Sequence, residues 1–155
     1  MRKRLAIGVV LLAWALGAAD PVLGRWSTGR ISTIQYRNAY TGAPAPTSGN
    51  NFAYEFRADG TYSFTGLMQN TLYNCTTSVF SNESGTYQIN GERLTLHPAK
   101  NPYRMTNSCA PSGNKEGPGK LVERSYQFRV INEENALRLE LKADDGAVSS
   151  FRRDQ

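Results

Sequence analysis

Asn50–Gly66, NNFAYEFRADGTYSFTG, is the stretch that decides the fold. Phe52, Tyr54 and Phe56, then Tyr62 and Phe64, occupy every second position on either side of Ala58-Asp59-Gly60. A period of two is that of a β-strand with one buried face, here opposite a face carrying Ala53, Glu55, Arg57, Thr61 and Ser63. The Asp-Gly pair bends the chain back on itself, because glycine tolerates the positive φ of a tight hairpin. A lone hairpin is at best marginal in water, so its aromatic face must be covered by further strands.

The rest of the chain supplies them. Gly24 to Arg37 reads as a first strand with Trp26, Ile31, Ile34 and Tyr36, followed by a Pro/Gly/Ser/Thr loop over Asn38–Gly49. The third strand runs to about Gln69, and Asn70–Asn82 is polar and gives no clear pattern. Gly85, Tyr87 and Ile89 alternate into the hairpin signal Asn90-Gly91, which leads to Leu94 and Leu96. His97–Gly119 reads as a second long irregular stretch. Lys120–Asn132 then presents Tyr126, Phe128 and Val130 on one face. Leu137, Leu139 and Leu141 form the next strand, and Asp144-Asp145-Gly146 turns the chain into Ala147–Arg153. About eight regularly spaced strands without helical periodicity predict an all-β barrel or sandwich.

Connection lengths choose between those two. The connections around Asn38–Gly49, Asn70–Asn82 and His97–Gly119 are long, and the turns that alternate with them are tight. In an up-and-down meander this places the three long loops at one end, with Cys75 and Cys109 in two of them. The expectation is an eight-stranded up-and-down antiparallel barrel with a Cys75–Cys109 disulfide at its loop-rich end. A barrel of this size either fills its interior with side chains or holds one small ligand.

Ahead of the barrel, residues 1–19 read as a signal peptide. Arg2, Lys3 and Arg4 precede an apolar run from Leu5 to Leu16, and Gly17-Ala18-Ala19 supplies small residues before Asp20. The apolar run falls short of the ~20 residues that span a bilayer. The expected mature domain is therefore 20–155, secreted or periplasmic, with no membrane insertion. Removing Arg2, Lys3 and Arg4 would leave 15 Lys+Arg, three fewer than the 18 of the whole chain, against 13 Asp+Glu. So nearly balanced a domain, without a basic stripe, is not expected to bind nucleic acid.

No catalytic constellation is visible. His97 is the only histidine, too few ligands for zinc, and no serine lies in Gly-x-Ser-x-Gly. Neither Glu133-Glu134 nor Asp144-Asp145-Gly146 has calcium-loop spacing, so no metal, no cofactor and no enzyme activity are expected. The tyrosines are more suggestive. Tyr54, Tyr62, Tyr87 and Tyr126 share the inward parity, and a lumen lined by phenols and apolar rings suits an amphipathic or aromatic ligand. Tyr40, Tyr73, Tyr103 and Met105 are expected on the long loops, where binding residues concentrate on a rigid scaffold, as lids or as anchors that pack the loops down. The same rings could instead fill the barrel, which would leave the loop-rich end to bind a protein partner.

Gly24-x-Trp26, Phe56-x-x-Asp59-Gly60-x-Tyr62, Gly85-Thr86-Tyr87-x-x-x-Gly91-x-x-Leu94-x-Leu96 and the terminal Phe151-Arg152-Arg153 together resemble the lipocalin/calycin superfamily, in particular its small secreted bacterial members. The resemblance spans nearly all of 20–155. It implies a barrel in which Trp26 plugs the tight-turn end under an arginine of the last strand. Parity with inward Phe151 selects Arg153. It further implies carriage of a small apolar or amphipathic ligand, although protease inhibitors share the architecture.

Overall fold

The computed structural model describes residues 20–31, 36–37, 44–45 and 48–154. Residues 1–19, read above as an export signal, and Tyr40 lie outside the described residues. The described residues form twelve strands: β1 (Gly24–Ile31), β2 (Tyr36–Arg37), β3 (Pro44–Ala45), β4 (Gly49–Phe56), β5 (Thr61–Leu72), β6 (Cys75–Asn90), β7 (Arg93–Lys100), β8 (Pro102–Asn107), β9 (Lys115–Pro118), β10 (Arg124–Glu133), β11 (Ala136–Lys142) and β12 (Val148–Arg153). Among the described residues no helix is long and apolar enough to cross a membrane.

Eight strands close an antiparallel up-and-down barrel in the order β1-β4-β5-β6-β7-β10-β11-β12, with β12 returning to β1. The closing seam is short, pairing Trp26 with Arg153 and Ser27 with Arg152. Asp154 reinforces it from outside, its carboxylate accepting from Arg25 Nε at 2.8 Å and its N–H donating to the Arg25 carbonyl. The hairpin quoted first forms β4 and β5, with Tyr54 opposite Phe64 and Phe56 opposite Tyr62. Gly60 sits at φ +79° in its turn, and Asp59 accepts from both the N–H and the hydroxyl of Thr61. Those bonds hold the exposed Asp59 carboxyl below its usual range.

Three expectations are corrected. The polar segment Asn70–Asn82 is not a long connection. It is the distal part of a β5–β6 hairpin whose two-residue turn, Tyr73-Asn74, has φ of 48° and 66°. Positive φ at both central residues is the primed turn that matches strand twist, reached here without glycine. Tyr73 is 91% exposed there. The second irregular stretch is likewise largely strand. β7 extends to Lys100, and β8 and β9 follow, so Tyr103 and Met105 lie on a strand paired with Ser81 and Val79 of β6. In the first loop, Pro44–Ala45 pairs with Tyr36–Arg37 as a separate two-stranded ribbon.

A β-bulge explains the placement of β8. Gly85 pairs with Pro98 while its neighbour Ser84 pairs with Lys100, so β7 carries one extra residue, Ala99. An extra residue inverts the alternation. Leu94 and Leu96 face inward before the bulge, and Tyr103 and Met105 share the inward parity after it. A Cβ on Gly85 would fall 2.0 Å from the His97 carbonyl oxygen, so glycine is required where the two backbones approach.

Cys75 and Cys109 are bonded, across 34 residues of sequence. Cys75 opens β6 and Cys109 follows β8, and Thr76 and Ser108 are stitched beside them by two hydrogen bonds of 2.8 and 2.9 Å. Replacing both cysteines by serine is expected to cost about 3–4 kcal/mol on the chain-entropy account. Chemical denaturation of the variant beside the parent checks it; a change below about 1 kcal/mol would show that the ladders alone fix β8.

Candidate functional site: a polar cluster inside the barrel

The ladders arrange the inward side chains in rows. Nearest the Asp59-Gly60 turn lie Gly24, Phe56, Tyr62 and Gly85, then Trp26, Tyr54, Phe64 and Glu83. Thr28, Phe52, Gly66, Ser81 and Tyr103 follow, then Asn50, Met68, Val79 and Met105. Burial falls along the same direction. Trp26, Phe56 and Tyr62 are buried, Phe52 and Phe64 half-buried, and Met68 is 49% exposed. The rows therefore run from a packed floor to an open apolar rim. Ser48, Gly49, Asn50, Met68, Asn70, Thr77 and Val79 bound a depression of about 580 Å³ at that rim.

The floor is held by Trp26. Its indole Nε1 donates to the Val22 carbonyl at 2.6 Å, and the Arg153 guanidinium carbon lies 5.5 Å from its ring centroid. Gly24 explains the Gly-x-Trp spacing twice over. Its φ is +109°, and a Cβ there would stand 3.0 Å from Arg153 Nη2, where the guanidinium passes. Residues 20–23 cross this end, with Val22 fully buried. The Tyr87 hydroxyl lies 2.8 Å from Asp20 Oδ2 and 3.0 Å from the Arg57 carbonyl, so this phenol ties the floor together.

The other three inward tyrosines converge elsewhere, around two charged residues that the sequence reading passed over. Glu83 is 2% exposed and faces the lumen from β6. Tyr62 donates to its Oε1 at 2.6 Å. Arg124, at the start of β10, donates from Nη1 to Oε2 at 3.1 Å and from Nη2 to Oε1, a two-pronged ion pair reaching past β7. Tyr54 on β4 and Tyr126 on β10 act on one another across the lumen, since their strands are not neighbours in the sheet.

Alternation could have found both charged residues. Arg124 has the parity of Tyr126 and Phe128, and Glu83 that of Gly85 and Tyr87. A charge at an inward position is the signal, because an unpaired buried charge is too costly to persist without a partner. Burial is the main cause that would lower the Arg124 pKa, but its bonds to Glu83 outweigh it and lift the guanidinium above its ordinary value. The phenols move upward too. Burial is the first cause for Tyr54, Tyr62 and Tyr87, joined by Tyr126, Glu83 and Asp20 respectively.

These shifts predict alkaline unfolding. Unfolded phenols ionise near pH 10, whereas the three in the barrel stay protonated, so stability is full below about pH 10 and falls above it. Each buried phenol contributes a slope of about 1.4 kcal/mol per pH unit there. Phenolate absorbance and circular dichroism followed together should show that these rings titrate only as the barrel opens. Full ionisation of all tyrosines with an intact β signal would contradict it.

Chemically, the cluster presents donors. Glu83 accepts at both oxygens, Arg124 Nε is buried without a partner, and Tyr54 and Tyr126 add two phenols. No group of three His, Cys, Asp or Glu residues is placed to hold a metal among the described residues. His97 lies on the outer face of β7, half-exposed, with Nδ1 2.8 Å from Glu123 Oε2. Tyr103 and Met105 are half-buried on the inward side of β8, in the rows above Glu83. No family model matches the chain, and a search of curated proteins returns no match.

Proposed function

We propose that this protein is an exported, lipocalin-like carrier that holds one small amphipathic molecule inside its barrel. The single observation that carries the reading is the donor-rich cluster of Glu83, Arg124, Tyr54, Tyr62 and Tyr126 beneath a rim of half-buried apolar side chains. A barrel built only to be filled has no need of a buried ion pair, which apolar residues of similar volume can replace at no loss of stability. A binding lumen combines apolar walls with a few convergent polar groups in this way. Phe52, Phe64 and Tyr103 would contact the apolar body, and Val79 and Met105 would lie nearer the entrance. The chain acts as a binder and catalyses no reaction in this reading.

Titration with the uncharged fluorophore N-phenyl-1-naphthylamine tests it. Saturable one-to-one enhancement, weakened by Phe64→Ala in a protein that still folds, is the expected result. No saturable uptake would count against a ligand-binding lumen. In that event the second reading, a protein-binding barrel, gains from Leu72 and Tyr73, which are 62% and 91% exposed at the β5–β6 turn. Export is tested separately, by N-terminal sequencing of protein recovered outside the cytoplasm. The expected terminus is at or near Asp20, and an intact Met1 would contradict it.

A further inference from the structure

We propose that Arg124, Tyr126 and Tyr54 form a subsite for an uncharged hydrogen-bond acceptor, such as the carbonyl of an amide, ester or ketone, and that Glu83 is the counter-charge that turns carboxylates away. The inference rests on the ligand-binding reading above and specifies the head group that the lumen accepts. Glu83 and Arg124 are the charged groups that act on Tyr54 and Tyr62, and they are bonded to each other through two N–H groups. The cluster is therefore neutral as a unit while its unfilled capacity is that of a donor. Glu83 already accepts three bonds, two at Oε1 and one at Oε2, so it keeps at most one acceptor site against the donors around it.

The free donors are placed to act together. Arg124 Nε is buried and has no partner, while the Arg124 side chain as a whole is 31% exposed. Further donors are the Tyr54 and Tyr126 hydroxyls, carried by strands that are not neighbours in the sheet. Tyr54 is held protonated by its burial and so keeps its hydroxyl proton to donate. A neutral acceptor can take these donors without displacing any existing bond. A carboxylate would take them too, but it would lie within a few ångströms of the buried Glu83 carboxylate. Like charges sharing a weakly screened site repel strongly. Selectivity thus comes from Glu83, a positioning residue that need not touch the ligand.

The test uses the full-length disulfide-bonded protein, with dodecanamide, methyl dodecanoate and dodecanoate as matched competitors of N-phenyl-1-naphthylamine at pH 8, below micelle formation. The two uncharged molecules are expected to displace the probe at concentrations about tenfold lower than dodecanoate, a difference of about 1.4 kcal/mol. Glu83→Gln should reverse the order, because it leaves Arg124 uncompensated. If that variant does not fold, Tyr126→Phe serves instead. It should weaken both uncharged competitors several-fold more than it weakens the apolar probe. Dodecanoate binding best to the unaltered protein, or Tyr126→Phe weakening probe and competitors alike, would overturn the head-group assignment while leaving the carrier reading intact. Failure of the probe itself to bind would overturn both.

Discussion

Arg124→Leu is expected to destabilise the barrel by about 3–5 kcal/mol, the range for removing one partner of a buried ion pair. The substitution leaves Glu83, 2% exposed, with the Tyr62 hydroxyl as its remaining hydrogen-bond donor. Coulombic attraction alone would not produce so large a loss. It comes from a desolvated carboxylate that no longer has its two-pronged partner. Glu83→Met should cost less, because Arg124 is partly exposed and can reach solvent. The double variant should recover most of the stability, since an apolar pair replaces the ionic one at nearly constant volume. Urea denaturation of the four proteins gives the coupling energy directly. Additive single effects would mean that the two side chains do not act as a pair.

Trp26→Ala should cost a similar ~3–5 kcal/mol, for a different reason. Here the loss is volume at the fully buried floor, together with the indole bond to the Val22 carbonyl. Residues 20–23 would lose what they pack against, and Val22 is itself fully buried. Arg153→Ala should cost ~0.5–1 kcal/mol, because an exposed cation over a ring contributes little. Trp26→Phe should fall between them, since it keeps an aromatic ring but not the Nε1 donor. Thermal melts order the three variants. A melting temperature for Trp26→Ala within a degree or two of the parent would mean the residue is no plug, and that the barrel closes without it.

Much of the barrel could be read from alternation because its lower half is strongly one-sided. Phe52, Tyr54, Phe56, Tyr62 and Phe64 leave no freedom of register, since a slip of one residue would turn every ring to solvent. The pattern fades where the lumen opens. Between Thr65 and Phe80 both faces of the β5–β6 hairpin meet water or a half-exposed lumen, so threonine, serine and asparagine appear on each side. The turn there uses Tyr73-Asn74, not glycine, and the strongest local signal is therefore missing. At Asn90-Gly91 the signal was present but displaced by one position. Asn90 pairs with Arg93, and only Gly91 of the two turn residues takes a positive φ.

Tyr103 and Met105 illustrate a second limit. Their strand follows a bulge at Ala99, and Pro98 and Pro102 around it suggest a loop to any reading by composition. The disulfide was accessible because two cysteines allow one pairing, and its partners flank paired strands. The ion pair was accessible and overlooked. Extending the inward parity by two residues from Gly85 reaches Glu83, and by two from Tyr126 reaches Arg124. Nothing local, however, says that residues 41 positions apart will meet.

The most direct test of the central claim is native mass spectrometry of the protein purified without denaturation from its own source. The expected result is a non-covalent adduct of a single small molecule with an apolar body and an uncharged acceptor, displaced by N-phenyl-1-naphthylamine and absent from Arg124→Leu that has been confirmed to fold. A ligand-free mass throughout, from protein that also takes up no apolar probe, would contradict it.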